Sequence, residues 1–485
     1  MRVWCLNPGP TGDIDWRELF VKEGRCMERS GAWSNLRMPI TLAYVSSVLK
    51  RDGHEVLLTD DIAMHYLKHP INMERVMESF QPELVVINTS MPTVFTEDME
   101  AAKIIKKNDH NVLTVMIGVA PTLVPQPIVE TGYVDIAVRC EPELIIRKIC
   151  ASKNNWRRTE GITFRYKGKV ISNPDAIPLK DLDQLPMPDF DSLPLDAYRT
   201  PVDRARQVLI DVSRGCPHQC IYCTGTKFYG RRFRCRRPEK VVEEMEYVKK
   251  LGVKKVLFWA DTFTYDHTFV RGLCSEIIEH GLEQEMSWVV NSRVDRAEPD
   301  IIKYMKEAGC FLIAFGVESG VQEILNYVKK GITLNQTRSA FKWMREAELP
   351  SAAHVVFGLA PFENERTIRK TLKFVREIDP NYANFHVATP YPNTELYRRY
   401  KEGGYIINED FSRLESNRAN ISLPELTDAQ LEYWRDRAFR EFYITPRMLV
   451  QELKHIRSSS ELRNLVDNAF WFVKGWMRIR QLTTG

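Results

Sequence analysis

Three cysteines in the run SRGCPHQCIYC, Cys216, Cys220 and Cys223, lie close enough to share one metal centre on a single loop. A four-iron cluster held by three thiolates leaves one iron open, and a ligand carrying both an amine and a carboxylate chelates it. Zinc is the competing reading; it wants a fourth ligand, for which Cys235 is the candidate, although a core or supporting role suits Cys235 better. Ten cysteines in 485 residues, with no apolar leader in MRVWCLNPGP, read as thiols, ligands and core residues and not as a disulfide framework.

The apolar pattern shows which elements must position these thiols. From Val3 to Val138 the short runs VWCLN, EVLLT, LVVIN, TVMIG and DIAV alternate with amphipathic stretches, as in a parallel sheet wrapped in helices. Ligands of such sheets sit beyond the carboxyl ends of the strands, here Asn7 to Pro10, Thr59 to Asp61, Asn88 to Ser90 and Gly118 to Thr122. Residues 151–205 are dense in proline and aspartate and read as a connection packed along the surface.

A second series begins at VLIDV and continues through KVLFW, SWVVN, FLIAF, AHVVFG and NFHVAT. Six βα units predict a partial (β/α) barrel, open on one side, with its chemistry at the carboxyl ends of the strands. The cysteine run follows the first of them directly. After Gly404 the strand signal fades, and LTDAQLEYWRDRAFREFY, PRMLVQELKHI and ELRNLVDNAFWFVKGWMRIRQ read as helices. Thr427 with Gln430 has the form of a capping box, and Ser460 is a further cap candidate. The expected α/β chain has a Rossmann-like unit at 1–150, a linker at 151–205, a barrel at 206–403 and a helical C-terminal unit at 404–485.

The balance of 68 Lys and Arg against 64 Asp and Glu leaves a net charge of +4, too little for nucleic-acid binding by the whole surface. The basic run KFYGRRFRCRRPEK reads better as a solvated or anion-binding rim beside the cysteine loop than as a nucleic-acid patch. No run approaches the roughly 18 apolar residues of a membrane span, so a cytoplasmic enzyme without a transmembrane segment is expected. The last helix is aromatic and basic, and packing against the barrel explains it better than attachment to a membrane surface.

The CxxxCxxC spacing of Cys216, Cys220 and Cys223, with Tyr222 before the last cysteine, resembles the signature of the radical S-adenosylmethionine (SAM) superfamily. The resemblance implies a [4Fe-4S] cluster on the three cysteines and SAM on its open iron. It places Tyr222, Asp261, Thr262, Ser292, Arg293, Glu318 and Gly358 around SAM, the acid at 261 for its ammonium and the glycine for its adenine.

The sheet ahead of such a barrel, with MPITLAYVSSVLKRDGHEVLLTD, IGVAPTLVPQ, VDIAVRCEPE and YPNTELYRRYKEGG, resembles the cobalamin-dependent class B radical SAM methylases. That implies a corrin held by Pro10, Thr89, Ser90, Gly118, Pro121, Thr122, Cys140 and Glu141. The DxHxxG motif that gives cobalt a histidine is absent; Asp52-Gly53-His54 begins like it but reads as a turn.

The activity implied is methyl transfer to an unactivated carbon, through a 5′-deoxyadenosyl radical and methylcobalamin, with a ferredoxin- or flavodoxin-type electron donor. The acceptor is a protein, peptide or small molecule. Length and architecture are similar to those of compact peptide and protein methylases, the glutamine C-methyltransferase of methyl-coenzyme M reductase among them. Cyclisation, oxidation or carbon–carbon coupling with an empty cobalamin-type domain is the alternative. An RNA-modifying role is remote, because Cys5, Cys26, Cys140 and Cys150 form no second compact cysteine framework. Tyr229, Trp259 and Tyr391 read equally as cavity lining and as core.

Overall fold

A strand that is buried at every position needs cover on both faces, and LVVINT is such a strand. The computed structural model, which describes residues 1–10, 36–200 and 203–446 with a few residues on either side, gathers such strands into two large sheets. The first contains β1 (Arg2–Asn7), β2 (Glu55–Asp60), β3 (Leu84–Thr89), β4 (Leu113–Gly118), β5 (Ile136–Val138), β6 (Ile162–Tyr166) and β7 (Lys169–Ser172). Their order is β2-β1-β3-β4-β5-β6-β7. The first five are parallel, and β6 and β7 close the edge as an antiparallel hairpin.

This hairpin corrects the expectation that 151–205 is only a connection. Its turn residues Lys167 and Gly168 both have positive φ, the backbone that a two-residue hairpin needs. Arg165, Tyr166, Lys169 and Ser172 are exposed, so the edge lacks the apolar signal of the central strands. The remainder of the segment wedges Phe190 and Tyr198 into the core, and Tyr198 Oη donates to Asp60 Oδ2 at 2.6 Å. Asp52-Gly53-His54 is the turn between the helix Ile40–Arg51 and β2.

The second sheet is β8 (Gln207–Asp211), β9 (Lys255–Trp259), β10 (Ser287–Ser292), β11 (Cys310–Glu318), β12 (Ser351–Phe357) and β13 (Tyr382–Val387). All pairings are parallel and follow chain order, so β8 and β13 remain the two edges of an open barrel. Behind β13 runs the helix Asp428–Tyr443, which starts at the Thr427–Gln430 capping box. Tyr443 Oη donates to the carbonyl of Ala383 at 3.0 Å and fixes this helix to the edge strand. The two later helices expected from the sequence, with the cap at Ser460, lie largely outside the described residues. Among the described residues no helix is long and apolar enough to cross a membrane.

Candidate active site

Beyond the end of β8, a short ladder of Ser213–Arg214 against Arg234–Cys235 closes the neck of the cysteine loop. Gly215 turns the chain into that loop at φ +85°, where a Cβ would stand 2.2 Å from the carbonyl oxygen of Arg232. Its N–H donates to Asp261 Oδ2 at 2.8 Å, so the acid at the end of β9 braces the loop.

Each thiol rests against a different group. Cys216 Sγ is 3.7 Å from Thr262 Oγ1, Arg293 Nη1 donates to Cys220 Sγ at 3.8 Å, and the Gly225 N–H donates to Cys223 Sγ at 3.3 Å. Among the described residues no three His, Cys, Asp or Glu side chains converge into a metal-holding group. The donor chemistry nevertheless suits thiolate ligands, since a guanidinium and a backbone N–H both favour sulfur in its charged form. Burial raises the Cys220 thiol, and the charges of Lys330 and Arg293 oppose that rise.

The ends of the next strands converge on the same mouth. Glu318 closes β11 at φ +61°, a left-handed backbone that glutamate seldom takes. Lys330 Nζ donates to its Oε1 at 2.7 Å, and Tyr222 hydrogen-bonds to the same carboxylate. Burial alone would raise the Glu318 carboxyl, but Lys330 holds it below its ordinary value. Arg293 is aimed by Asp295, at 2.9 Å, and by the Lys330 carbonyl, at 2.7 Å. Ser292 Oγ sits 2.5 Å from Thr264 Oγ1.

Opposite this mouth stand the loops above the first sheet. Cys140 follows β5 at φ +64°, and its N–H donates to Thr122 Oγ1 at 2.9 Å. Thr122 Oγ1 in turn donates to the carbonyl of Gly118 at 3.2 Å, and Pro121 is buried in the same short helix. Thr89 Oγ1 donates to the Ile117 carbonyl at 3.1 Å, while Ser90 Oγ lies 2.8 Å from Thr93 Oγ1. Pro10 continues the end of β1, where the Gly9 N–H is held by Asp61 Oδ2 at 3.2 Å. The two mouths touch. Cys140 Sγ donates to the carbonyl of Lys227 at 3.5 Å, in the helix Gly225–Phe228 that follows Cys223.

Residues 210–375 match the radical SAM superfamily. This part of the chain is a radical SAM domain. An uncharacterised methyltransferase of Pyrococcus horikoshii is 29% identical over 420 residues, covering 86% of this chain and 90% of that protein. The anaerobic magnesium-protoporphyrin IX monomethyl ester cyclase of Cereibacter sphaeroides is 26% identical over 427 residues, covering 86% of this chain and 68% of its own length. Among solved structures, the cobalamin-dependent SAM radical enzyme OxsB, with aqua-cobalamin and SAM bound, superposes with a TM-score of 0.72 at 14% identity. That likeness covers 97% of this chain and 72% of OxsB and extends through both sheets. The domain match at residues 210–375 makes the chain an enzyme of the radical SAM type, and the likeness to OxsB shows the fold.

The structure adds to three expectations for this radical SAM enzyme. Glu141, expected beside a corrin, is also an ion-pair partner: Arg234 Nη2 and Nη1 donate to its two oxygens at 2.5 and 3.1 Å, and Arg214 Nη1 reaches it at 3.4 Å. Arg214, 1% exposed in its side chain, also donates to Glu143 and Asp211 at 2.7 Å each. The basic run, in turn, is no simple rim, since Arg234 and Arg236 are buried and Arg236 donates to Glu244 at 2.5 Å and to Tyr44 Oη at 3.1 Å. Finally, a Cβ on Gly358 (φ +81°) would meet Ile421 at 3.0 Å, so this glycine admits the C-terminal segment where adenine was expected.

Lys330, Glu143 and Arg214 carry the electrostatics of the two mouths and were not singled out by sequence. The Gly-x-Glu at 316–318 was the one available signal for Lys330, because a side chain at 316 would collide with both members of the pair. Cys235 belongs to the neck ladder, opposite Ser213. Tyr229 and Trp259 are buried, and Tyr391 packs beside the first sheet's core.

Proposed function

We propose that this chain is a cobalamin-dependent radical SAM C-methyltransferase that adds a methyl group to an unactivated carbon of a protein or peptide side chain. The observation that carries this reading is the contact between Cys140 and Lys227, which sets the loops above the first sheet against the loop of three thiols. A cofactor on each side would face a shared space.

Cys216, Cys220 and Cys223 would hold a [4Fe-4S] cluster, and Tyr222, Asp261, Thr262, Ser292, Arg293 and Glu318 would surround SAM. The corrin would lie against Pro10, Thr89, Ser90, Gly118, Pro121, Thr122 and Cys140. When bound, the cluster supplies the electron that cleaves SAM and the cobalamin supplies the methyl group. The chain's own residues position and protect. Arg293 and the Gly225 N–H steady two sulfurs, Lys330 keeps Glu318 ionised, and the Arg214–Arg234 network holds the two mouths together while keeping water out. The electron would come from a ferredoxin- or flavodoxin-type donor in the cytoplasm.

The methyltransferase of P. horikoshii and the cofactors of OxsB support this reading. The cyclase of C. sphaeroides supports a second one, oxidation or ring formation on the same barrel. Product mass separates them. Incubation of the anaerobically reconstituted enzyme with SAM and acceptor should add one methylene equivalent; loss of hydrogens would favour the second reading.

A further inference from the structure

The ion network of the neck uses only part of the basic run at 227–240. Arg234 and Arg236 are buried and paired, whereas Lys227, Arg231 and Arg232 are exposed, and among the described residues no carboxylate pairs with any of these three. Acids of the adjoining linker are engaged elsewhere. Asp175 is taken by Arg139 at 2.9 Å, Asp183 by Arg236 and Arg237 at 3.3 and 3.2 Å, and Asp181 caps the turn that follows it. Three cations are left facing water without a counter-charge.

These cations stand beside the first thiol. The Cys216 N–H donates to the Gly230 carbonyl at 3.2 Å, so the segment that carries Arg231 and Arg232 is one hydrogen bond from the cysteine loop. Rings make a second connection. Phe233 lies 4.8 Å from Tyr265, and Tyr265 lies 6.3 Å from His218, which sits between Cys216 and Cys220. Arg296 covers Tyr265 at 4.9 Å, and all four of these side chains are partly buried. On the other side of the segment runs the linker, where Pro178 approaches Gly230 and the Leu179 carbonyl accepts Arg234 Nη1 at 2.5 Å. Next to them Ile177 is 78% exposed, more than any other large apolar side chain among the described residues.

A bare isoleucine alone means little, and three cations are too few to hold a nucleic-acid tract. Together, against a thiol loop, they suit a globular acidic partner that delivers something to the loop without entering it. An electron is the one reactant that crosses packed protein without a channel. Electron-transfer encounters use small surfaces, and opposite charge speeds them. An apolar point beside cations matches a flavin whose benzenoid edge is exposed among carboxylates.

We propose that Lys227, Arg231 and Arg232, with Ile177 and Phe233, form the docking surface for an acidic flavodoxin, which delivers one electron to the cysteine loop across the Gly230–Cys216 contact. The reduced flavin gives up one electron, the cluster on the three cysteines takes it up, and no atom is transferred. This rests on the radical SAM reading above, and the face that receives the donor is what it adds.

The test uses the full chain reconstituted anaerobically with iron, sulfide and cobalamin, and an acidic flavodoxin as the probe. In calorimetric titration, oxidised flavodoxin should bind wild type at low ionic strength and weaken as salt is raised from about 20 to 200 mM. Arg231→Glu with Arg232→Glu should weaken binding about tenfold at low salt and remove most of the salt dependence. Reduced flavodoxin below saturation should then support 5′-deoxyadenosine formation about tenfold more slowly, while excess titanium(III) citrate supports the wild-type rate. Arg366→Glu with Lys370→Glu makes the same change in net charge on the exposed side of the helix Glu365–Ile378 and should leave flavodoxin binding unchanged. If the first pair fails to load iron, Arg231→Gln with Arg232→Gln is read in its place.

Unchanged binding in a loaded variant overturns the docking surface, and so does equal weakening in the outer-helix pair. Slow 5′-deoxyadenosine formation with both reductants assigns the arginines to the support of the loop, and a raised KM for the methyl acceptor with both reductants assigns them to an anionic substrate; either result overturns the proposal. Reduction of wild type by an acidic ferredoxin and not by flavodoxin overturns it too. A wild type that forms no 5′-deoxyadenosine even with titanium(III) citrate overturns the reading beneath, which is a different failure.

Discussion

The cysteine loop of the barrel and the loops above the first sheet meet at Cys140 and Lys227 and are built of different materials. On the barrel side, side chains do the work: three thiols, the Arg293 guanidinium and the Glu318–Lys330 pair gather functional atoms at the carboxyl ends of the strands. On the other side the polar side chains are already held by other groups of the chain. Thr89 bonds the Ile117 carbonyl, Thr122 bonds the Gly118 carbonyl, and Glu141 is held by two arginines. A surface built in the second way can hold a large flat ligand by shape and backbone, and it leaves no donor set for sequence to advertise.

The contrast can be broken first at its strongest point. Replacing any one of Cys216, Cys220 or Cys223 by Ala should bring 5′-deoxyadenosine formation below detection, measured by chromatography after anaerobic reduction with SAM. Continued formation by such a variant would remove that cysteine from the ligand set.

The junction between the regions comes next. Arg214→Leu strands Glu143 and Asp211 without their shared cation, while Glu141 keeps Arg234, and removing one partner of a buried ion network costs about 3–5 kcal/mol. Denaturant unfolding should show that loss. Lys227→Ala is the counterpart, since only the Lys227 backbone carbonyl meets Cys140, and its unfolding free energy should stay within about 0.5 kcal/mol of wild type.

Glu363 tests whether the end of β12 is a packed junction. Its Oε2 accepts the N–H groups of Gly358 and Leu359 at 2.9 and 3.0 Å, and burial pushes its carboxyl from 4.5 up to about 7. Below the lower value both states hold the proton. Between the two values the unfolded chain releases it and the folded chain keeps it, so stability falls as pH rises through this window, by up to about 3 kcal/mol. Glu363→Gln should flatten that slope in unfolding curves taken across the window, and a slope unchanged in the variant would assign it to other groups.

At the barrel mouth the smallest effect is expected from Glu318→Gln. It should weaken SAM binding about tenfold while iron content is unchanged, read by equilibrium binding to the reconstituted protein. Equal affinity would remove Glu318 from the SAM site.

How much of this was legible depended on whether the signal was local. The barrel strands announced themselves by apolar runs, and the thiols by spacing within eleven neighbouring letters, so both the open barrel and its cysteine loop could be read directly. The β6–β7 hairpin could not, because an edge with exposed Arg165, Tyr166 and Lys169 looks like a loop until it is paired. The pairing of Glu141 was hidden for a related reason: its partners Arg214 and Arg234 lie 73 and 93 residues away, and nothing local announces a paired carboxylate. At Gly358 the side-chain direction is taken by Ile421, from a segment whose docking no periodicity foretells.

The most direct test of the central claim, that two cofactors face one another across the Cys140–Lys227 contact, is to purify the chain anaerobically with cobalamin supplied and to quantify iron, sulfide and corrin on one sample. The account predicts about four irons and one tightly held corrin per chain, with iron lost and corrin kept when Cys220 is replaced by Ala. Four irons without corrin would contradict it, leaving the first sheet a scaffold and turning the barrel toward oxidation or coupling chemistry.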